Sequence, residues 1–520
     1  MYLQARAASI SGNYAQSANL LSQLVESNAA SPTIARQAVL EAIGAGDMKL
    51  ALRVAKSLPA QSTPVEARML QVAEQLRTRN PERALPLLDS GSDSGELKFL
   101  RPFVEAWVHA DRKDLNRSLT ALNSLPANSL LAGLVPEHRA LILLRFGRAA
   151  EAAPFIEQAL QKAGGREQRL RMAFTDGFLK TGDRARAMSM VEGLGSDAAR
   201  ARQRIQQGKP IGMAVDNARV AYSEVALALA LELNRMRNQN MPISLAQIAR
   251  YAAPENSAAT AALGILLQSR DRTPEALAVL RTINENDPFG SQARDAEVRA
   301  LLEAKRGPEA LAIAQRAVNS PAAAVSDYSR LGDALSELKR YDEAAAAYGR
   351  ALAMSQSASA SERWPLLLLQ ASALEDANRW PESRQALIAA LALAPNEPLI
   401  LNFLGYAKLE RGEDLEAAEA MIRKASELDP DNASITDSLG WALYKRGRTK
   451  EAVEILTKAA KGDPAQAEIH EHLGDALYKS GNRYEARYAW QAALVTADDD
   501  VTRRLKAKIE TGLTPATAAP

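Results

Sequence analysis

Along most of this chain, apolar and small residues return every three to four positions in stretches of about a dozen, each closed by a short polar turn. That is the signature of amphipathic helices. The stretches come in pairs. Between Ala433 and Asp498 two such pairs superpose: Leu439-Gly440 falls on Leu473-Gly474, Ala442-Leu443-Tyr444-Lys445 on Ala476-Leu477-Tyr478-Lys479, Gly447 on Gly481, Ala452 on Ala486 and Ala459 on Ala493. The offset is 34 residues each time. A repeat of this length is one supersecondary unit that buries its apolar face only against its neighbours. With the Gly of Leu-Gly counted as position 8, helix A turns positions 4, 7, 8 and 11 inward and helix B positions 20, 24 and 27. Small residues at 8 and 20 let the two helices approach closely.

Carried backward, position 8 falls at Gly405, Ala371, Gly332, Val298 and Gly264, and position 20 at Ala418, Ser383, Ala344, Ala310 and Ala276. Position 27 gives Ala425, Ala390, Ala351, Ala317 and Ile283. Pro464, Pro430, Pro395 and Pro288 follow helix B, where a proline cannot continue the helix. Residues 258–498 therefore read as seven well-formed repeats, with a longer polar loop at Ser355–Ser361. Upstream the pattern is degenerate. Turns at Gly12-Asn13-Tyr14, Gly46-Asp47-Met48, Arg79-Asn80-Pro81, Asp111-Arg112-Lys113, Phe146-Gly147-Arg148 and Thr181-Gly182-Asp183 precede small residues at Ser17, Ala51, Ala84, Ser118, Ala152 and Ala187. These make six weaker repeats over 1–196. Residues 197–257 break the rhythm with a bend at Gly208–Gly212 and one atypical hairpin. The sum is about fourteen hairpins in two blocks joined near 197–218. Val501, Leu505 and Ile509 then line one stripe of an amphipathic helix over 499–513, a lid for the last repeat, and 514–520 is expected to be disordered.

Composition agrees with this pattern. The 520 residues are rich in Ala and Leu, only 5% are aromatic, and β-branched residues are sparse. An all-α chain too long for one core follows. Net charge is +2, but residues 1–255 hold 32 basic and 24 acidic groups and residues 256–520 hold 32 and 38. The absence of Cys excludes disulfides and thiol chemistry. The most apolar run, Val225–Leu231, is too short to span a bilayer. Met1 leads directly into a helical pattern without a capping residue, which points to a trimmed leader.

The spacing and the small residues at positions 8 and 20 resemble the tetratricopeptide repeat family over nearly the whole chain, most specifically over 258–498. The resemblance implies a right-handed α-α superhelix, a solenoid whose A helices line a concave groove that binds peptides or proteins. The segment running through Leu401–Tyr406, Asp437–Trp441 and His470–Asp475 is further similar to the C-terminal part of multi-repeat envelope proteins of Gram-negative bacteria. Those include outer-membrane lipoprotein adaptors that partner a carboxyl-terminal processing protease. A removed lipid anchor would be the chain's one link to a membrane.

In this family A-helix positions 2, 5, 9, 12 and 13 face the groove. The resemblance therefore implies partner-binding residues at Asn402, Tyr406, Asp437, Trp441, Tyr444, Lys445, Glu471, Asp475, Tyr478 and Lys479, with Leu409 beside them. Tyr and Trp are common interface anchors. Members that clamp a chaperone's terminal carboxylate carry Lys and Asn at positions 5 and 9. The pairs here are Asn402/Tyr406, Asp437/Trp441 and Glu471/Asp475, and the acidic groups among them would repel one. Catalytic readings find little. His470 and His472 are two apart, so on a helix their rings diverge; Gly208-Lys209-Pro210 lacks the spacing of a phosphate loop; and scattered Arg residues without interleaved aromatics do not make a nucleic-acid face. The expectation is a non-enzymatic scaffold without cofactor or metal, holding a protein or peptide in a bacterial cell envelope. The competing expectation is a regulatory or substrate-recruiting subunit of an enzyme on another chain, a protease or a glycosyltransferase.

Overall fold

The computed structural model describes residues 1–27, 31–89, 97–194, 198–238, 241–320, 323–356 and 358–519. Among them are thirty α-helices and four short 3-10 turns, with no strand. Successive helices pair as hairpins for a simple reason. At the end of each A helix one residue enters the left-handed region, and the next amide turns back to a carbonyl in the last turn. Gly447 and Gly481 take this conformation without steric cost, and Arg448 N donates to Leu443 O and Asn482 N to Leu477 O, both at 2.9 Å. Lys305 and Asn378 hold the same conformation in their own hairpins. The position is thus imposed by packing rather than by residue type.

Packing follows the small-residue register. Ser17, Ala51, Ala84, Ser118, Ala152 and Ala187 in the degenerate repeats are wholly buried, as are Ala276, Ala310, Ala344, Ser383, Ala418, Ala452 and Ala486 in the regular ones. At position 8 the fit is closer still. A Cβ on Gly440 would lie 2.6 Å from Leu456 Cγ, and one on Gly474 would lie 2.3 Å from Trp490 Cδ1.

The chain divides into two compact units, Met1–Glu337 and Leu338–Pro520. The expected division near 197–218 does not coincide with this. The bend there is tied into the first unit, because both oxygens of buried Asp176 accept backbone amides from it, Ile211 N at 2.6 Å and Met213 N at 2.5 Å. Arg169 donates to Met213 O at 2.7 Å and to Glu224 at 2.6 and 2.9 Å.

The atypical hairpin of the first unit, Ala218–Arg235 and Met241–Ala252, reaches back to the first repeats. Tyr222 Oη donates to Met69 O at 2.9 Å, and Tyr251 Oη donates to Glu74 at 2.8 Å. Further on, Arg272 donates to Gly44 O at 3.0 Å and sits 4.3 Å over the Tyr14 ring. Residues from Val220 to Ala230 are buried without interruption, so the helix is buried all round instead of on one stripe, with Ser223 and Glu224 as its polar members.

The second unit starts with α1 (Tyr341–Met354) and continues with four hairpins: α2 (Ala360–Asp376) with α3 (Trp380–Leu393), α4 (Pro398–Glu410) with α5 (Leu415–Leu428), α6 (Ala433–Lys445) with α7 (Thr449–Gly462), and α8 (Ala467–Lys479) with α9 (Arg483–Ala493). The lid is α10 (Asp499–Thr511), whose Asp498 cap accepts from Val501 N at 2.9 Å. It starts where a further A helix would start. Leu505 is wholly buried with Ala486, Trp490 and Ala493. Residues 514–519 depart from the expected disorder. Thr514 and Thr517 close a turn, and Ala519 is buried with its amide donating 2.9 Å to Asp475. The segment is held because a buried carboxylate and an apolar cluster are waiting for it.

Candidate partner-binding face

The A helices α4, α6 and α8 carry the ten residues singled out above, and the structure sorts them by exposure. Lys445 and Lys479 are exposed; Asn402, Tyr406 and Tyr478 are half-buried; Asp437, Trp441, Tyr444, Glu471 and Asp475 are buried, as is neighbouring Leu409. Half of the ten thus lie under neighbouring side chains.

The centre of this face is an aromatic stack across two A helices. Trp441 lies between Tyr444, with ring centroids 4.7 Å apart, and His472, 4.0 Å apart, all nearly parallel. The indole N–H donates to Glu410 at 3.0 Å. Lys445 covers Trp441 at 5.1 Å and Lys479 covers Tyr444 at 4.7 Å, so each exposed ammonium lies against an aromatic ring. Trp441 is 1% exposed, so it cannot serve as a projecting anchor; it orders the stack on which others project.

His472, whose ring the spacing turns away from His470, has no partner that the sequence pattern names. It is buried and 2.9 Å from Asp437, and no signal in the spacing revealed that pairing. Burial disfavours its charged form, but the Asp437 carboxylate outweighs this and holds the imidazole above its ordinary value. Burial likewise pushes the Tyr444 phenol up to about 12 and the Tyr406 phenol further, with Glu410 and Glu468 adding to the latter. Both phenols stay neutral hydrogen-bonding groups.

Glu471 and Asp475 are taken up by the chain itself, which corrects the expectation of two free groove acids. Lys508 of α10 is wholly buried and donates to Glu471 at 2.6 Å and to both oxygens of Asp475 at 2.7 and 2.8 Å. Arg504 forks onto Glu471 at 2.7 and 2.8 Å, and Trp490 donates to Asp475 at 2.9 Å. Burial raises the Glu471 carboxyl, but Arg504 and Lys508 more than offset it and hold the group below its ordinary range. At Asp475 burial wins over Lys508, and the carboxyl lies above its ordinary range. Tyr478 packs on Trp490 beneath Gly512. Among the described residues two buried acceptors on this face have no partner, Asn402 Oδ1 and Asp437 Oδ1, at equivalent positions of α4 and α6.

Among the described residues no helix is long and apolar enough to cross a membrane, and no group of three or more His, Asp or Glu is placed to hold a metal ion. Fold and face together define a class: an all-α helical-repeat solenoid of the kind that serves protein–protein interaction. Residues 440–481 match the family described as TPR repeat, and residues 368–433 and 328–357 match families described as tetratricopeptide repeat. The chain thus carries tetratricopeptide repeats, matched over these three stretches of residues 328–481.

A TPR repeat-containing protein of Pseudomonas aeruginosa is 29% identical over 199 residues, 38% of this chain and 32% of that protein. The match thus spans about a third of that relative's length. Among solved structures, the APC/C hetero-tetramer Cut9–Hcn1 covers 98% of this chain and 96% of its own at 13% identity, with a TM-score of 0.43. Yeast Tom70 covers 86% and 95% at 13% identity, with a TM-score of 0.39. YrrB, described as a TPR protein with an unusual peptide-binding site, covers 36% and 93% at 18% identity, with a TM-score of 0.28.

Proposed function

We propose that this protein is a non-enzymatic adaptor that holds a partner polypeptide along the A-helix face of its second unit. The observation that carries this reading is the aromatic stack of Trp441, Tyr444 and His472, with two exposed ammonium groups laid against it. Half-buried Tyr406 and Tyr478 and exposed Lys445 and Lys479 form the reachable rim. The Pseudomonas aeruginosa relative supports a bacterial setting, and the envelope is the compartment we propose; fractionation of the native host would place it elsewhere if the chain were found only in the cytoplasm.

The face is tested by reversing its rim. The double variant Lys445→Glu, Lys479→Glu changes exposed charge without opening the core. Co-purification from the native host is expected to lose the partner while helical content stays constant. Unchanged partner recovery with the double variant would refute this surface.

A further inference from the structure

The second unit already holds a peptide segment on its A-helix face, and that segment is its own. After α10, Gly512 packs against the Tyr478 ring: a Cβ at residue 512 would lie 2.3 Å from Tyr478 Oη. Leu513 then joins the cluster of Trp490 and Leu505. A turn at Thr514 and Thr517 brings the chain back. Ala519 is buried in the same cluster as Trp441, Tyr444 and Leu439. Its backbone N–H donates to Asp475 Oδ2 at 2.9 Å, the oxygen that Lys508 also holds. Between these two anchors Thr514, Pro515 and Ala516 are exposed. The sequence of the segment, Gly-Leu-Thr-Pro-Ala-Thr-Ala-Ala, is uncharged and built of small residues apart from Leu513.

We propose that residues 512–519 are a tethered occupant of the partner-binding face, and that the partner is an uncharged peptide of the same small-residue chemistry, which must displace them. The inference rests on the function proposed above and deepens it by naming the ligand's chemistry and its competitor. Two features select that chemistry. Asp475 accepts a backbone N–H, which any extended peptide offers. The cluster at Trp441 and Tyr444 is closed tightly enough that Ala519 is 6% exposed, so a small side chain fits there. Tethering gives the segment an effective concentration on the order of millimolar, so even weak intrinsic affinity keeps the face covered.

Because the chain has no cysteine, single-cysteine labelling reads the occupancy directly. Ala519→Cys and Ala516→Cys place one thiol at the buried and one at the exposed end of the same short segment. Ala519→Cys is expected to react with a maleimide at least tenfold more slowly than Ala516→Cys in the folded chain, and equally fast in urea. Equal rates in the folded chain would overturn the proposal. A second measurement does not depend on the new side chain. A fluorescent peptide of the sequence of residues 511–520 is titrated to millimolar concentration against the full chain and against a chain ending at Thr511, with helical content monitored in both. Tenfold tighter binding to the shortened chain supports the proposal. Equal binding to both overturns the tethered occupancy while leaving the face as a peptide site. Binding to neither overturns the ligand chemistry, and the rim-reversal experiment then still decides the function on its own.

Discussion

Lys508 is the side chain on which the closure of the array depends most directly. It is 0% exposed and makes hydrogen bonds of 2.6, 2.7 and 2.8 Å to two carboxylates on the preceding A helix. The perturbation is Lys508→Met, which keeps the length of the buried stem and removes only the ammonium. Breaking a buried ion pair by deleting one partner costs about 3–5 kcal/mol. Here the low end applies, since Glu471 keeps both Arg504 bonds and Asp475 keeps the donors of Trp490 and Ala519. A repeat array loses stability locally, so the cost should appear as opening of α10 and the segment after it more than as a fall in the global midpoint. About 3 kcal/mol corresponds to roughly 100-fold faster hydrogen exchange through that opening. The assay is amide exchange at neutral pH, comparing α10 with α4 as an internal control. Exchange of α10 within threefold of the parent chain would refute the reasoning, because the ammonium would then contribute nothing beyond its desolvation cost.

Three further predictions probe other parts of the fold. Replacing Gly474 by Ala places a Cβ about 2.3 Å from the fully buried Trp490 ring, and should destabilise the last hairpin by roughly 1–3 kcal/mol in urea titrations, with Gly440→Leu at least as severe against Leu456. His472 has its folded value raised by Asp437, so its pairing contributes fully below the ordinary histidine range and is lost as pH rises through the raised value. Unfolding free energy measured from about pH 6 to pH 9 should fall over that window, and His472→Gln should flatten the fall. In the first unit, Tyr222→Phe removes a hydrogen bond to Met69 O across 153 residues of sequence, and should cost about 0.5–1.5 kcal/mol in thermal or urea unfolding if the atypical hairpin is seated as described.

How much of this was legible in the sequence depends on how far apart the contacting residues are. The 34-residue register reports contacts between neighbours in the stack, and there it served well: Ser17 and Ser118 in the degenerate half are as fully buried as Ala452 and Ala486 in the regular half. Thirteen hairpins follow from that register, and the atypical one over 218–252 stands outside it. Contacts that skip many repeats leave no period. The reach of Tyr222 to Met69 was invisible for that reason, although the unbroken apolar run from Val225 to Leu231 was a trace of it. At the face, the register gave the side of the helix and not the depth. Trp441 and Tyr444 are expected at the groove, and the stack with His472 buries them. Lys508 could have been flagged, since a charged residue stands on the otherwise apolar stripe of Val501, Leu505 and Ile509, adjoining the acidic pair Glu471 and Asp475 one period earlier. The seating of residues 512–519 had no such signal, because a short run of Thr, Ala and Pro reads the same whether it is free or bound.

The account stands most directly on where a partner touches the second unit. A photo-crosslinking amino acid placed singly at Tyr406, Lys445 or Lys479 samples the A-helix face; the same residue at Tyr484 or Tyr488, which are 70% and 58% exposed on helix B of the last hairpin, samples the strongest alternative surface. With the native partner present, crosslinks are predicted from the first three positions and not from the last two. Crosslinks confined to Tyr484 and Tyr488 would contradict the central claim.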